Sequence, residues 1–565
     1  MINWNELYNL GLGLFEKGRA FFDETLEMKP EPQACYDRGV ALGNSGRWEE
    51  AIASYDKALE FKPDYHEAWN NRGNALGNLG RWEEAIASFD KALEFKPDDD
   101  VAWYNRGIGL GNLGRWEEGI ASYNKTLEIK PDYHKAWYNR GIALHNLGLL
   151  EEAIASYDKA LEFKPDYHEA WNNRGNALGN LGRWEEAIAS YEKVLEFKPD
   201  YHEAWNNRGI TLGNLGRWEE AIASFDKALE FKADYHEAWN NRGNALGNLG
   251  RLEEAIASFD KALEFKADYH EAWNNRGNAL GNLGRLEEAI ASFDKALEFK
   301  ADYHQAWNNR GITLGKLGRL EEALASYDKA LEIKPDDEAW YNRGIALGKL
   351  GRWEEALASF DKALEIKPDK DEAWYNRGIA LDDLGRWEEA IASYDKALEI
   401  IPDDAAWNNR GIALGNLGRL EEAIASYDKA LEIKPDSYES WYNRGSAMIN
   451  LGRLEEAIAS YDKALEIKPD DDAAWYNRGY SLRNLGRWEE AIASYNKALE
   501  IIPDDDEAFY NKACCYALQS QSDQAIHNLQ QAINLNPDKW REMAKTDSDF
   551  DSIRSDTRFQ ALIQE

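Results

Sequence analysis

The chain has 565 residues, 44% of them hydrophobic, and 67 Lys and Arg against 103 Asp and Glu give a net charge of −36. That acidity argues against nucleic-acid phosphates or anionic lipid as main partners. No run approaches the ~20 apolar residues that span a bilayer, the opening Met1-Ile-Asn-Trp-Asn-Glu lacks a basic, apolar leader, and Cys35, Cys514 and Cys515 show no metal spacing; a reducing, cytoplasmic setting is expected.

In chain order, residues 1–31 read as a worn, shortened copy of a module that follows. Leu7-Tyr8-Asn9-Leu10-Gly11 echoes the start of that module and Thr25-Leu26-Glu27-Met28-Lys29-Pro30 its end. Residues 32–539 read as fifteen copies. Residues 49–88 recur unchanged as 151–190, and Trp69, Trp103, Trp137, Trp171, Trp205, Trp239, Trp273 and Trp307 keep a strict 34-residue spacing. Trp340, Trp374, Trp407, Trp441 and Trp475 continue it with two single-residue slips. A fixed period of this size predicts a solenoid in which each copy buries its apolar side on the next.

Residues 66–99 serve as the reference copy, numbered as positions 1 to 34. Positions 1 to 14 predict helix A, with Asp64 ahead of Glu67 as a capping arrangement. Ala68, Trp69, Gly73, Ala75, Leu76 and Leu79 recur at helical spacing as its buried face, and Gly80 ends it. Helix B is predicted from about Trp82 to Phe95, lined by Ala85, Ile86, Phe89, Ala92 and Leu93. Glu83 and Glu84 at its start and Lys91 and Lys96 near its end suit the helix dipole, and Pro97 blocks its continuation. The slips fall after Pro335 and Pro402, in the turn between copies. Residues 540–565 leave the period; Trp540, Met543, Phe550, Ile553, Phe559, Leu562 and Ile563 predict one or two short helices over the last copy, closing its exposed face.

Trp69, Gly73, Gly80, Ala85, Phe89, Ala92 and Pro97 resemble the tetratricopeptide repeat signature over roughly nine tenths of the chain. Leu76 stands where that family often has Tyr, and Arg72 where it often has Leu. Asn-Arg-Gly copies of this kind are similar to those of long arrays from cyanobacteria and other bacteria. The resemblance implies an all-α, right-handed superhelix of helix pairs with a concave groove, capped at both ends.

No catalytic constellation appears. Carboxylates recur as Glu-Glu at helix starts and as Asp in turns, and Gly73, Gly77 and Gly80 follow no strand, so no phosphate loop is present. Neither a metal nor a cofactor is expected. The histidines at position 1 (His66, His134, His168, His202, His236, His270, His304) read as exposed turn residues, because packed helices stand ~8–10 Å apart and neighbouring rungs are too distant to share an ion. Arg72 and its equivalents fall on the buried face, where a lone charge is costly. Each is expected to pair with the acid at position 25 (Asp56, Asp90, Asp158, Asp226) of its own or the neighbouring copy.

Positions 2, 5, 6, 9, 12 and 13 point away from the buried face. Position 6 is Asn71, Asn105, Asn139, Asn173, Asn207, Asn241, Asn275, Asn309, Asn342, Asn376, Asn409, Asn443, Asn477 and Asn511. Positions 5, 9 and 13 add Asn240, Asn244, Asn248, Asn274, Asn278 and Asn282 in the densest patch. An amide offers a donor and an acceptor and pairs with a peptide backbone whatever its side chains. The ladder resembles that of the repeat region of O-linked N-acetylglucosamine transferases, which holds extended peptides; that transferase's catalytic domain is absent from this sequence. The competing reading is a contact between adjacent copies. Position 5 is mostly Asn up to Asn308, then mostly Tyr (Tyr341, Tyr375, Tyr442, Tyr476). The expected function is a non-enzymatic scaffold for extended segments of other proteins. A recruiting subunit for an enzyme on another chain and a passive spacer are the alternatives. Nothing in the copies sets an oligomeric state.

Overall fold

The computed structural model describes residues 31–564, so the shortened copy expected over residues 1–31 lies, but for Glu31, outside the described residues. The chain divides into two compact bodies, Met1–Leu283 and Gly284–Glu565. The first holds seven helix pairs, from Pro32–Asn44 with Trp48–Phe61 through His236–Asn248 with Leu252–Phe265, and then the helix His270–Asn282. The second starts with Leu286–Phe299, continues through seven pairs from His304–Lys316 with Leu320–Ile333 to Asp506–Leu518 with Ser522–Leu535, and closes with Pro537–Thr546, a 3₁₀ turn Ser548–Ile553 and Thr557–Gln564. The described residues form an all-α solenoid of stacked pairs.

In the reference repeat, helix A runs His66–Asn78 and helix B Trp82–Phe95. Helix A stops because Gly80 takes φ +75°, a left-handed conformation a Cβ would oppose. Its N–H then bonds the Gly77 carbonyl and that of Arg81 bonds Leu76, which closes the helix end. The predicted cap by Asp64 does not form. Tyr65 is the N-cap, with no side-chain bond, because a turn from Lys62 to Tyr65 sets the helix start one residue later. Where an acid stands at the N-cap itself it works as a cap: Asp99, Asp336, Asp403, Asp471 and Asp505 accept from backbone N–H groups.

The two helices of a repeat close on position 8. A Cβ built on Gly73 would lie 2.5 Å from the Phe89 ring, and the same contact recurs from Gly39 with Tyr55 to Gly479 with Tyr495. In the last repeat position 8 is Ala513 and position 24 is Leu529, so the extra methyl group and the missing ring occur together. Successive repeats are tied by the position-7 arginine. Arg72 Nε donates to Asp56 of the preceding helix B at 2.6 Å, Nη1 donates to Ser88 of its own helix B at 2.7 Å, and the guanidinium lies 5.8 Å from the Trp69 ring centre. The acid is the preceding repeat's, as it is for Arg106 with Asp90, Arg174 with Asp158 and Arg242 with Asp226.

The position-4 tryptophans lie at the rim of the core, half-buried, and their indole N–H groups bond the linker carbonyls, as Trp69 does to Pro63 at 2.9 Å. Trp340 and Trp407 follow the shortened linkers and form no such bond among the described residues; there the backbone runs extended through Asp336 and Asp403. The closing segment packs Trp540, Phe550, Phe559 and Leu562 on Ala513, Leu529 and Ile533, and covers the end of the last pair.

Candidate functional site: the helix A face

Position 6 places its amide half-buried at the joint between successive A helices, and its Nδ2 donates to the position-5 side chain of the preceding repeat. Where position 5 is asparagine the acceptor is a carbonyl oxygen: Asn105 to Asn70, Asn241 to Asn206 and Asn275 to Asn240, each at 3.1 Å, and Asn443 to Asn408 at 3.2 Å. Where it is tyrosine the acceptor is the phenol oxygen: Asn71 to Tyr36, Asn139 to Tyr104, Asn173 to Tyr138, Asn376 to Tyr341, Asn409 to Tyr375, Asn477 to Tyr442 and Asn511 to Tyr476, at 2.9–3.2 Å. Asn342 reaches Asn308 at a longer 3.5 Å, Asn207 is shared between Asn172 and Asn176, and Asn309 is also partnered. The change from Asn to Tyr at position 5 therefore keeps one acceptor in one place.

This ladder has a direction. The rungs donate backward through Nδ2 and keep Oδ1 as an acceptor, which in Asn275, Asn409 and Asn511 already receives a bond from Asn274, Asn408 and Arg483. Among the described residues the Oδ1 atoms of Asn71, Asn105, Asn139, Asn173 and Asn241 accept no protein hydrogen bond. The position-5 amides of the densest patch point the other way: Asn240 and Asn274 are 4% and 5% exposed and serve the joint. Asn244, Asn248, Asn278 and Asn282 are exposed, with Asn248 bonded back to the Asn244 carbonyl at 2.9 Å. The face thus presents Oδ1 acceptors at these position-6 rungs and exposed amide groups in this patch at positions 9 and 13.

Between neighbouring A helices the floor opens onto helix B. A cleft of about 160 Å³ lies among Asn74, Gly77, Trp82, Phe89 and Asn105, and one of about 220 Å³ occupies the next joint. A third, of about 660 Å³, lies among His145, Asn176, Asn180, Trp184, Asn207 and Asn214. In the second body a cleft of about 320 Å³ sits at the opposite end of helix A, bounded by Tyr341, Glu372, Tyr375, Asn376 and Asp403 beside a shortened linker.

Burial lifts the phenols of Tyr104 and Tyr138 to about 12, so both stay protonated at neutral pH. Burial also lowers the imidazole of His145. The position-1 histidines are not exposed turn residues. His134, His168, His202 and His236 stand edge-on to the tyrosine before the next helix A, with ring centres 5.2–5.6 Å apart, and form an aromatic seam between repeats. One group of possible metal ligands, Cys514, Asp547 and Asp549, lies under the closing segment; Arg483 already pairs with Asp549, and Tyr510 donates to Asp547 at 2.8 Å. Among the described residues no helix is long and apolar enough to cross a membrane.

Family models described as "Tetratricopeptide repeat" match residues 8–66, 36–100, 341–405 and 408–472, residues 134–167, 168–201, 236–269, 270–303, 304–337 and 473–505, and residues 190–223 and 494–527. A model described as "TPR repeat" matches residues 112–148 and 214–250. Similar solved structures include "Crystal structure of YrrB: a TPR protein with an unusual peptide-binding site", 27% identical over 33% of this chain and 95% of that one, with a TM-score of 0.30. The APC/C hetero-tetramer Cut9-Hcn1 is 16% identical over 87% and 98%, at 0.36. Naa15/Naa10 bound to HypK-THB is 14% identical over 94% and 99%, at 0.34. A search of curated proteins returned no match.

Proposed function

The chain belongs to the tetratricopeptide repeat family, a family of protein–protein interaction scaffolds, and from that premise we propose that its helix A face holds extended segments of partner proteins by their backbone. The observation that carries this reading is the row of Oδ1 acceptors at position 6, each oriented by a bond on its other atom. An extended strand presents an N–H at every residue, and a row of fixed acceptors meets those donors without regard to side chains. The function is non-enzymatic, and cofactors, nucleic acid and membrane play no part in it.

The test is binding of unstructured peptides to the full chain, compared with the same peptides N-methylated at alternate residues. Three lost hydrogen bonds at about 1 kcal/mol each predict roughly 100-fold weaker binding. Asn71→Ala, Asn105→Ala and Asn139→Ala combined should weaken binding similarly while helix content is retained. Peptides that bind equally well with and without N-methyl groups would overturn the proposal.

A further inference from the structure

Most of the helix A face repeats, but the joint between repeats 5 and 6 differs from its equivalents. Position 12 is glycine in most repeats and His145 in repeat 4. Asn180, at position 13 of repeat 5, reaches back to that ring, its Nδ2 3.2 Å from His145 Nε2. Asn78, Asn112 and Asn146 instead bond a carbonyl of their own helix. Trp184 also stands off. Its ring is 3.8 Å from where a Cβ would sit on Gly179 and within 3.9 Å of one on Gly182, whereas Trp82 and Trp218 come within 2.8 and 3.1 Å of Gly77 and Gly213. Between them these shifts leave the cleft of about 660 Å³ where the joints of repeats 2 and 3 leave about 160 and 220 Å³.

The lining selects a class of occupant. It carries no Asp, Glu, Lys or Arg. Asn180 spends its Nδ2 on His145, so that ring nitrogen accepts, the imidazole carries its proton on Nδ1, and Asn180 Oδ1 is left as an acceptor. Asn176 Oδ1 is saturated by Tyr191 at 2.7 Å and Asn207 at 3.2 Å. Asn214 is exposed and has no protein hydrogen bond among the described residues, so it brings a donor and an acceptor. Trp184 and Ile210 supply apolar surfaces against which a flat group can lie. A neutral planar group with one donor and one acceptor matches this set; a carboxylate or an ammonium would lose hydration without gaining a counter-charge.

Resting on the backbone-binding reading above, we infer that the His145 cleft is the register-fixing pocket of the groove and takes a carboxamide side chain, Gln or Asn, of the bound segment. The uniform rungs read backbone alone; this one position reads a side chain.

The test uses the full chain and a positional-scanning library of unstructured dodecapeptides. Wild type should enrich Gln or Asn at one peptide position by about 10-fold over Ala and over Glu, the scale of one well-placed hydrogen-bonding pair. His145→Gly restores the residue most repeats carry, so folding is preserved; it should abolish that enrichment and leave total library binding within about 2-fold. Library binding without carboxamide enrichment, or with enrichment of aromatic or basic residues there, overturns this inference and leaves the groove reading intact. No library binding by wild type overturns both.

Discussion

The glycine at position 8 gives the sharpest test of how the repeat is packed. In a helix interior Gly→Ala is favourable by about 1 kcal/mol on propensity alone. At Gly243, however, a Cβ would stand 2.5 Å from Phe259 Cε1 and 2.8 Å from Cδ1 and Cζ, and Phe259 is 2% exposed with no room to retreat. Overpacking of this kind costs about 1–3 kcal/mol, which offsets or exceeds the propensity gain, so Gly243→Ala is expected to destabilise by up to about 2 kcal/mol. Phe259→Leu alone should cost a similar amount through the void it leaves. The double variant reproduces the Ala513–Leu529 pair of the last repeat and should recover about 1–3 kcal/mol of coupling. Gly247, one turn on, is the control: nothing lies within 4 Å of its Cβ position, so Gly247→Ala should stabilise by about 1 kcal/mol. The assay is urea denaturation of the full chain with hydrogen exchange read over residues 236–265, because a repeat array melts locally. A stabilising Gly243→Ala, or a double variant equal to the sum of its singles, would refute the packing argument.

Three other outcomes follow. Arg242→Ala removes bonds to Asp226 and Ser258; with Asp226 half exposed the loss should be only about 1 kcal/mol and should shrink in about 1 M salt, and an unchanged urea midpoint would discount the arginine tie. Trp540→Ala deletes a ring that is 3% exposed, stacked 4.3 Å from Tyr510 and bonded to Asp506 at 2.7 Å; about 3–5 kcal/mol should be lost, seen as faster exchange over residues 506–535 with early repeats unaffected. Burial raises Tyr55, Tyr104, Tyr138 and Tyr235 from 10.0 to about 12, so their contribution to stability is whole below pH 10 and declines as pH rises from 10 towards 12. Tyrosinate absorbance should therefore appear together with loss of helix, and titration near 10 with helix intact would contradict it.

Much of this was readable from residues alone, for physical reasons. Gly80 and Pro97 fix where helices end because their backbones allow little else, and Arg72 had to find an acid because it lies on an apolar face. The cap differs from the sequence expectation because Asp64 and Tyr65 are a single residue apart in the turn, which sequence spacing does not resolve. The histidines read as solvent residues in sequence because their partner, the tyrosine before the next helix A, lies one repeat away. The asparagine ladder was visible, but not its direction: only neighbours in space reveal that Nδ2 is spent and Oδ1 is presented. A histidine in a column mostly of glycines is the sequence signal of the His145 cleft.

The backward-donating rung has a further consequence. Each module carries a plug (Asn at position 6, Arg at 7) and the matching socket (position 5, and the acid or amide at 25), so an internal copy can be spliced out or duplicated and both new joints still fit. Array length is then free to drift by whole copies. The last repeat departs from this pattern: Lys512 replaces the arginine, and the Tyr510 hydroxyl donates to Asp547 in place of receiving from an asparagine.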